Sequence, residues 1–165
     1  ADLPLLLPHV HQHTYRSSMV VYPEKRNVHG KLFGGFVVEQ GHILAQYAAD
    51  FYLNHHLQKK TQNHQQDDDG VVAASNDKAA TKKLSFFADH RAIPLGLDEA
   101  VFLQPVSIGD HVTFTARVVH STPRTCRVIV HVEVRDLSHR HSAPLRSNRL
   151  SFLFGGNKFP EGGIV

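Results

Sequence analysis

The run Arg26-Asn27-Val28-His29-Gly30-Lys31-Leu32-Phe33-Gly34-Gly35 holds the residue types and spacing best suited to chemistry in this chain. Its two terminal glycines stand directly before residues 36–53, an apolar stretch too long for a strand and free of proline, which predicts a helix. The first N–H groups of a helix have no acceptor within it, and glycine lets a ligand approach them closely. With the helix dipole behind them, such donors suit an oxyanion or a polarised carbonyl. The same glycine pair serves equally well for close packing where a strand turns into a helix. Within the helix, Glu39, His42, Gln46 and Asp50 recur every three or four residues and form one polar stripe. His42, with Glu39 one turn earlier, has the spacing of an oriented general base. A hydrogen-bonded histidine at a subunit interface fits that position too.

Other clusters carry less. Fourteen histidines are scattered through the sequence, and His9, His11 and His13 alternate as metal ligands on a strand would. No carboxylate or cysteine stands near them, so residues 1–13 are expected to be a solvated N-terminal arm. Asp67, Asp68 and Asp69 lack the interleaved glycine and distal glutamate of a calcium loop. No metal site is expected. Cys126 alternates with valines at 128, 130, 132 and 134, which marks it as core rather than nucleophile.

The elements that must position these residues follow from periodicity. Residues 14–22 predict a first strand, closed by Pro23. After the helix, residues 58–83 turn polar and repetitive, the composition of a long insertion. Beyond it the period changes to two, with strands over 93–103, 111–120, 124–136 and 145–154. Gly109-Asp110, Thr122-Pro123 and Ala143-Pro144 mark the turns between them. The fold class is α+β, one domain with an antiparallel sheet of about five strands wrapped on one long helix. Apart from that polar stripe the helix is apolar almost all round, which predicts a buried helix rather than a surface one.

Composition sets the outer limits. The chain has 165 residues, 41% of them hydrophobic and 20% charged, which is one globular domain and excludes a disordered chain. No apolar run reaches the ~18 residues of a membrane span. A net charge of +3, with no basic block and no zinc-finger spacing, gives no argument for nucleic acid and suits a small anionic ligand. Cys126 is the only cysteine, so no disulfide can form within the chain, and a reducing compartment, matrix or cytoplasm, is the default.

Two motifs carry a family resemblance. The stretch from Tyr22 to Phe36 resembles the helix-entry motif of hotdog-fold acyl-CoA thioesterases. The stretch from Asp98 to Asp110 is similar to that family's F-x-x-P-V-x-x-G-D run, and the motifs occur in the family's order. The nearest resemblance is to the second hotdog domain of tandem, mitochondrial-type acyl-CoA thioesterases. It implies hydrolysis of a fatty acyl-CoA to free acid and CoA, with CoA as part of the substrate and no separate cofactor. It also implies a homodimer, or a pseudo-dimer with a second hotdog domain, whose sheets join edge to edge with active sites at the seam.

By that resemblance Asn27 orients the thioester or the attacking water, and Gly35 supplies the carbonyl-polarising N–H. His29, Gly30, Gly34 and Phe36 are implied as substrate contacts. Family members commonly carry Asp or Glu seven residues after the second glycine, where this chain has His42. Either His42, helped by Glu39, is the base, or a partner domain supplies the acid, or the chain is a non-catalytic subunit that binds acyl-CoA or serves assembly. A dehydratase using a histidine and an acid ranks below these, because its histidine sits in a different helix-entry context. The phosphates of CoA should meet basic residues at the sheet rim, with Arg91, Arg124 and Lys82 or Lys83 as candidates.

Overall fold

A computed structural model describes residues 14–63, 91–138, 143–156, 159 and 162–163. The proposed N-terminal arm, with His9, His11 and His13, lies outside them, as do Lys82, Lys83 and the acidic run at 67–69.

One helix, α1 (Gly34–Asn63), packs on a sheet built from β1 (Thr14–Val20), β2 (Ile93–Phe102), β3 (His111–Ser121), β4 (Thr125–Arg135) and β5 (Leu145–Gly155). The strand order is β1-β3-β4-β5-β2, antiparallel throughout, and a short β6 (Gly162–Gly163) also pairs with β3. The strands match the sequence expectation to within two residues at each end. The helix runs to Asn63, six residues into the stretch expected to be a polar insertion, and residues 64–83 of that stretch are outside the described set.

Alternation decides the two faces of the sheet. Val112, Phe114 and Ala116 of β3, Cys126, Val128, Val130 and Val132 of β4, and Leu150, Phe152 and Phe154 of β5 are all buried against the helix. From α1 the same core receives Val37, Ala45, Ala48, Ala49 and Leu53, positions that share one helical face. Small residues there let the helix lie close to the strands. At Gly41 the approach is closest: a Cβ built on it would come within 2.5 Å of Leu150 Cδ1.

The opposite face of α1 qualifies the expectation of a buried helix. Ile43 and Tyr47 are each 56% exposed, because one sheet can cover only one side of a helix. The polar stripe also divides in two. Asp50 Oδ1 accepts the Ala92 N–H at 2.7 Å, while Gln46 Nε2 donates to Ala92 O at 2.7 Å and lies 3.0 Å from Asp50 Oδ1. These two side chains hold the entry to β2 against the helix. Gly34 sits beside the Phe102 ring at the far end of the same strand, so α1 runs antiparallel to β2.

β2 is the outer strand on its side, and its burial is the exception in the sheet. Ile93, Leu95, Leu97 and Phe102 are all exposed. Its register to β5 slips twice, between Pro94 and Gly96 and between Leu97 and Glu99. Two ion pairs tie it to the sheet, Asp98 to Arg127 of β4 at 3.1 Å and Glu99 to Arg149 of the adjacent β5 at 3.0 Å.

Candidate functional site

The helix-entry motif folds as a closed turn. Asn27 N–H donates to Lys31 O at 2.6 Å and Gly30 N–H to Asn27 O at 3.1 Å. Asn27 Oδ1 accepts two backbone amides, His29 N–H at 2.9 Å and Lys31 N–H at 3.0 Å. Gly30 turns the chain at φ 70°, a conformation that costs other residues energy. Asparagine is therefore needed here first as a turn former. Its Oδ1 is committed, and its Nδ2 donates to nothing among the described residues. Among the described residues, Nδ2 is thus the part of the Asn27 side chain left open to a ligand.

The second motif holds the first in place. Leu32 N–H donates to Val106 O at 2.9 Å, and Lys31 Nζ donates to Ser107 Oγ at 3.0 Å. Ser107 N–H in turn donates to Asp110 Oδ2 at 2.8 Å, across a turn in which Gly109 has φ 90°. The Asn27 turn and the Pro105-Val106-Ser107 run, more than seventy residues apart in sequence, are thus neighbours in space.

At the start of α1, Phe36 and Val37 N–H both reach Phe33 O, at 3.0 and 3.3 Å. The N–H groups of Gly34 and Gly35 have no acceptor among the described residues, as the first turn of a helix requires. They open in different directions. Gly34 lines a groove of about 420 Å³ with Asn27, His29, Phe102 and Asn148. Gly35 lines a cleft of about 380 Å³ with Glu39, His42, Pro94, Gly96 and Phe152. Gly35 and Glu39 also border a third cleft, of about 450 Å³, with Lys25, Arg26 and Phe36. There Lys25 Nζ stands 4.9 Å from the Phe36 ring centre.

One chain therefore separates the expected site residues. Asn27, His29 and Gly34 share the groove, while Gly35, Glu39 and His42 share the cleft. The His42 ring lies over Phe154 at 6.1 Å, nearly parallel, and 5.6 Å from Phe152. No hydrogen bond joins Glu39 to His42 among the described residues, so the expected i, i+3 orientation of the histidine is not formed. Arg91 and Arg124 are both exposed. They flank the ends of β2 and β4 that meet Gly155 of β5, the end of the sheet opposite Asn27.

Sequence reasoning passed over Asn148. It is the one polar residue at an inward position of β5 ahead of Leu150, Phe152 and Phe154, and that break in an apolar alternation was the available signal. Cys126 is core, as expected, and burial pushes its thiol up to about 12. Among the described residues, no three His, Cys, Asp or Glu are grouped to hold a metal ion, and no helix is long and apolar enough to cross a membrane.

No protein-family model matches the sequence, and neither does the sequence of any curated protein. Solved structures do match. An acyl-CoA hydrolase from Staphylococcus aureus, in complex with butyryl-CoA, CoA and CoA disulfide, superimposes with a TM-score of 0.66 at 14% identity, over 94% of this chain and 76% of that one. A hexameric hotdog-fold thioesterase of Campylobacter jejuni gives a TM-score of 0.59 at 18% identity, over 88% of each chain. The chain has the hotdog fold. A hexameric thioesterase from Yersinia pestis, at 18% identity and TM-score 0.56, covers 88% of this hotdog chain and 94% of its own. At these identities the similarity is one of fold.

Proposed function

We propose that this hotdog protein hydrolyses acyl-CoA thioesters, in a site completed when two hotdog domains pair through β2. The observation that carries the reading is the groove in which Asn27 Nδ2 stands beside Gly34 at the helix start, neither donor having an acceptor among the described residues. Donors of that kind, fixed before the reaction begins, favour the charge that develops on a carbonyl oxygen under attack. The CoA-bound hydrolase among the structural matches supports the substrate class.

Pairing explains why the residues are divided. Among the described residues β2 is an edge, its backbone unpaired on one side and apolar side chains exposed along it, a liability unless something covers it. In a twofold pair of antiparallel β2 strands, the 93–97 end of one strand lies beside the 98–102 end of the other. The His42 cleft borders the first end and the Asn27 groove borders the second. Each composite site would then hold Asn27 of one subunit and His42 of the other, and Arg91 would move toward the groove from across the seam. Ile43 and Tyr47 offer the exposed helix face that such a partner needs.

The reaction follows from these parts. His42 accepts a proton from water as the water oxygen attacks the thioester carbonyl carbon. The oxyanion forms against Asn27 Nδ2 and the glycine N–H groups, with Gly35 favoured for this role. Collapse of the intermediate breaks the C–S bond, and the proton held on His42 returns to the departing CoA sulfur. Free acid and CoA leave. Glu39 borders the same cleft and would keep the developing imidazolium in a favourable field. His29 would meet the acyl-CoA in the groove it lines, Gly30 would act through the turn it makes and Phe36 from the adjoining cleft, and Arg124 with Arg91 would meet the phosphates.

A thiol-release assay with palmitoyl-CoA, run beside Asn27→Ala, tests the reading. Turnover lost in the variant supports it. Binding of acyl-CoA without hydrolysis at any chain length would instead make this a binding subunit, consistent with His42 standing where an acid is common.

A further inference from the structure

Asn148 is 2% exposed, yet it lines the Asn27 groove. Its Cα pairs with Val132 of β4 on one side and Phe102 of β2 on the other, at the inner face of the sheet. The amide of an asparagine at an inward sheet position normally finds partners at both ends. Asn148 has one neighbour for that purpose. Ser147 Oγ lies 2.7 Å from Asn148 Oδ1 and 2.8 Å from Gln104 O.

A hydroxyl has a single proton to give. Given to Asn148 Oδ1, it leaves the Asn148 NH₂ without a partner. Given to Gln104 O, it makes Oγ an acceptor, which the NH₂ reaches once the amide turns over, and the carbonyl end is then left without one. In both arrangements one end of the Asn148 amide has no partner among the described residues, and it keeps access to the groove that the residue lines. The chain crossing at this place does not need it. Leu103 N–H and Gln104 N–H already reach Ser147 O, at 2.8 and 3.3 Å.

We propose that Asn148 is a further substrate-contacting residue, whose free amide end hydrogen-bonds an amide of the CoA thiol arm in the groove that Asn27 lines. An amide ligand offers both a donor and an acceptor, so it satisfies either orientation of Asn148. Val37, Phe102 and Leu103 line the same groove and give the thiol arm an apolar wall beside that amide. This rests on the acyl-CoA hydrolase reading and adds a determinant of substrate class to the same site: thioesters whose thiol arm carries amides over simple thioesters.

The test compares butyryl-CoA with the amide-free thioester S-butyryl-2-mercaptoethanol in the wild-type protein and in Asn148→Ala. The expected result is a preference for butyryl-CoA, as a ratio of kcat/KM, that falls about tenfold in the variant, mainly through KM. A loss equal on both substrates, or no change on either, overturns the proposal. If Asn148→Ala fails to fold, the side-chain amide signal of Asn148 in the wild-type NMR spectrum decides instead. It should move on addition of pantetheine and stay fixed with 2-mercaptoethanol, and a signal indifferent to pantetheine overturns the proposal. Wild-type protein that neither hydrolyses nor binds acyl-CoA would remove the hydrolase reading and this inference with it. Wild-type turnover with an insensitive Asn148 removes the inference alone.

Discussion

Asn27 and Lys31 close on each other from both ends: Lys31 N–H donates to Asn27 Oδ1 at 3.0 Å, and Asn27 N–H donates to Lys31 O at 2.6 Å. The side chain that resembles a catalytic asparagine is thus also the clasp of its own turn. Any substitution there acts on two levels.

Asn27→Asp and Asn27→Ala separate them. Aspartate keeps the acceptor for His29 and Lys31 N–H but loses the Nδ2 donor, so the melting temperature should hold while kcat falls by about 10²-fold. Alanine should lose both activity and about 1 kcal/mol of stability. Paired melting and thiol-release curves check this, and an active Asn27→Asp would refute the donor role.

His42→Gln should reduce kcat by about 10²-fold or more and abolish the acid limb of the pH–rate profile. The ring's packing on Phe152 and Phe154 is largely kept by glutamine's bulk, so folding should survive. If the acid limb persists in the variant, another group is the base, and replacement of carboxylates on the facing domain locates it.

The edge strand gives a prediction about assembly. Leu95→Lys with Leu97→Lys places two charges on the exposed β2 edge and should shift the protein toward monomer in analytical ultracentrifugation. Activity should fall with it, because the Asn27 groove and the His42 cleft would no longer meet. A fully active monomer would separate function from pairing.

Close packing at Gly41 predicts a stability effect remote from the chemistry. Gly41→Val forces a side chain toward Leu150 Cδ1, 2.5 Å from a built Cβ, and should cost about 1–3 kcal/mol in chemical denaturation.

Titration behaviour bounds the stable pH range. Burial raises the Cys126 thiol from 9.0 to about 12, so the folded state holds that proton more tightly than the unfolded chain. Its contribution is full below pH 9 and is lost as pH rises toward 12. Tyr15, raised to about 12 by burial and then by Tyr47, acts in the same direction from pH 10 upward. His131 sets the acid side: burial, then Arg146, Arg149 and Arg117, lower it from 6.5, so stability falls as pH drops below that value. Cys126→Val should flatten the alkaline limb and His131→Gln the acid limb in denaturation followed against pH.

The sequence alone determined the elements and the order of the motifs. Period-two alternation placed four strands to within two residues, because a half-buried strand must alternate. The long proline-free apolar stretch required a helix, and Gly34-Gly35 marked its start. Those patterns are local, and so is the Asn27 turn.

What surrounds the elements was decided only in three dimensions. An apolar helix face says that it needs cover, not what provides it, and Ile43 and Tyr47 were left exposed by the single sheet. Four evenly spaced polar residues on α1 could not reveal that Gln46 and Asp50 bind the Ala92 backbone while Glu39 and His42 border a cleft. Asn27 and His42 are fifteen residues apart on adjoining elements, yet they line different cavities. Periodicity is a property of one element's backbone, whereas a site is a meeting of several. Which side chains meet depends on how far the helix lies along β2, and that is set by Gly41 against Leu150 and by Asp50 on Ala92, contacts between residues distant in sequence.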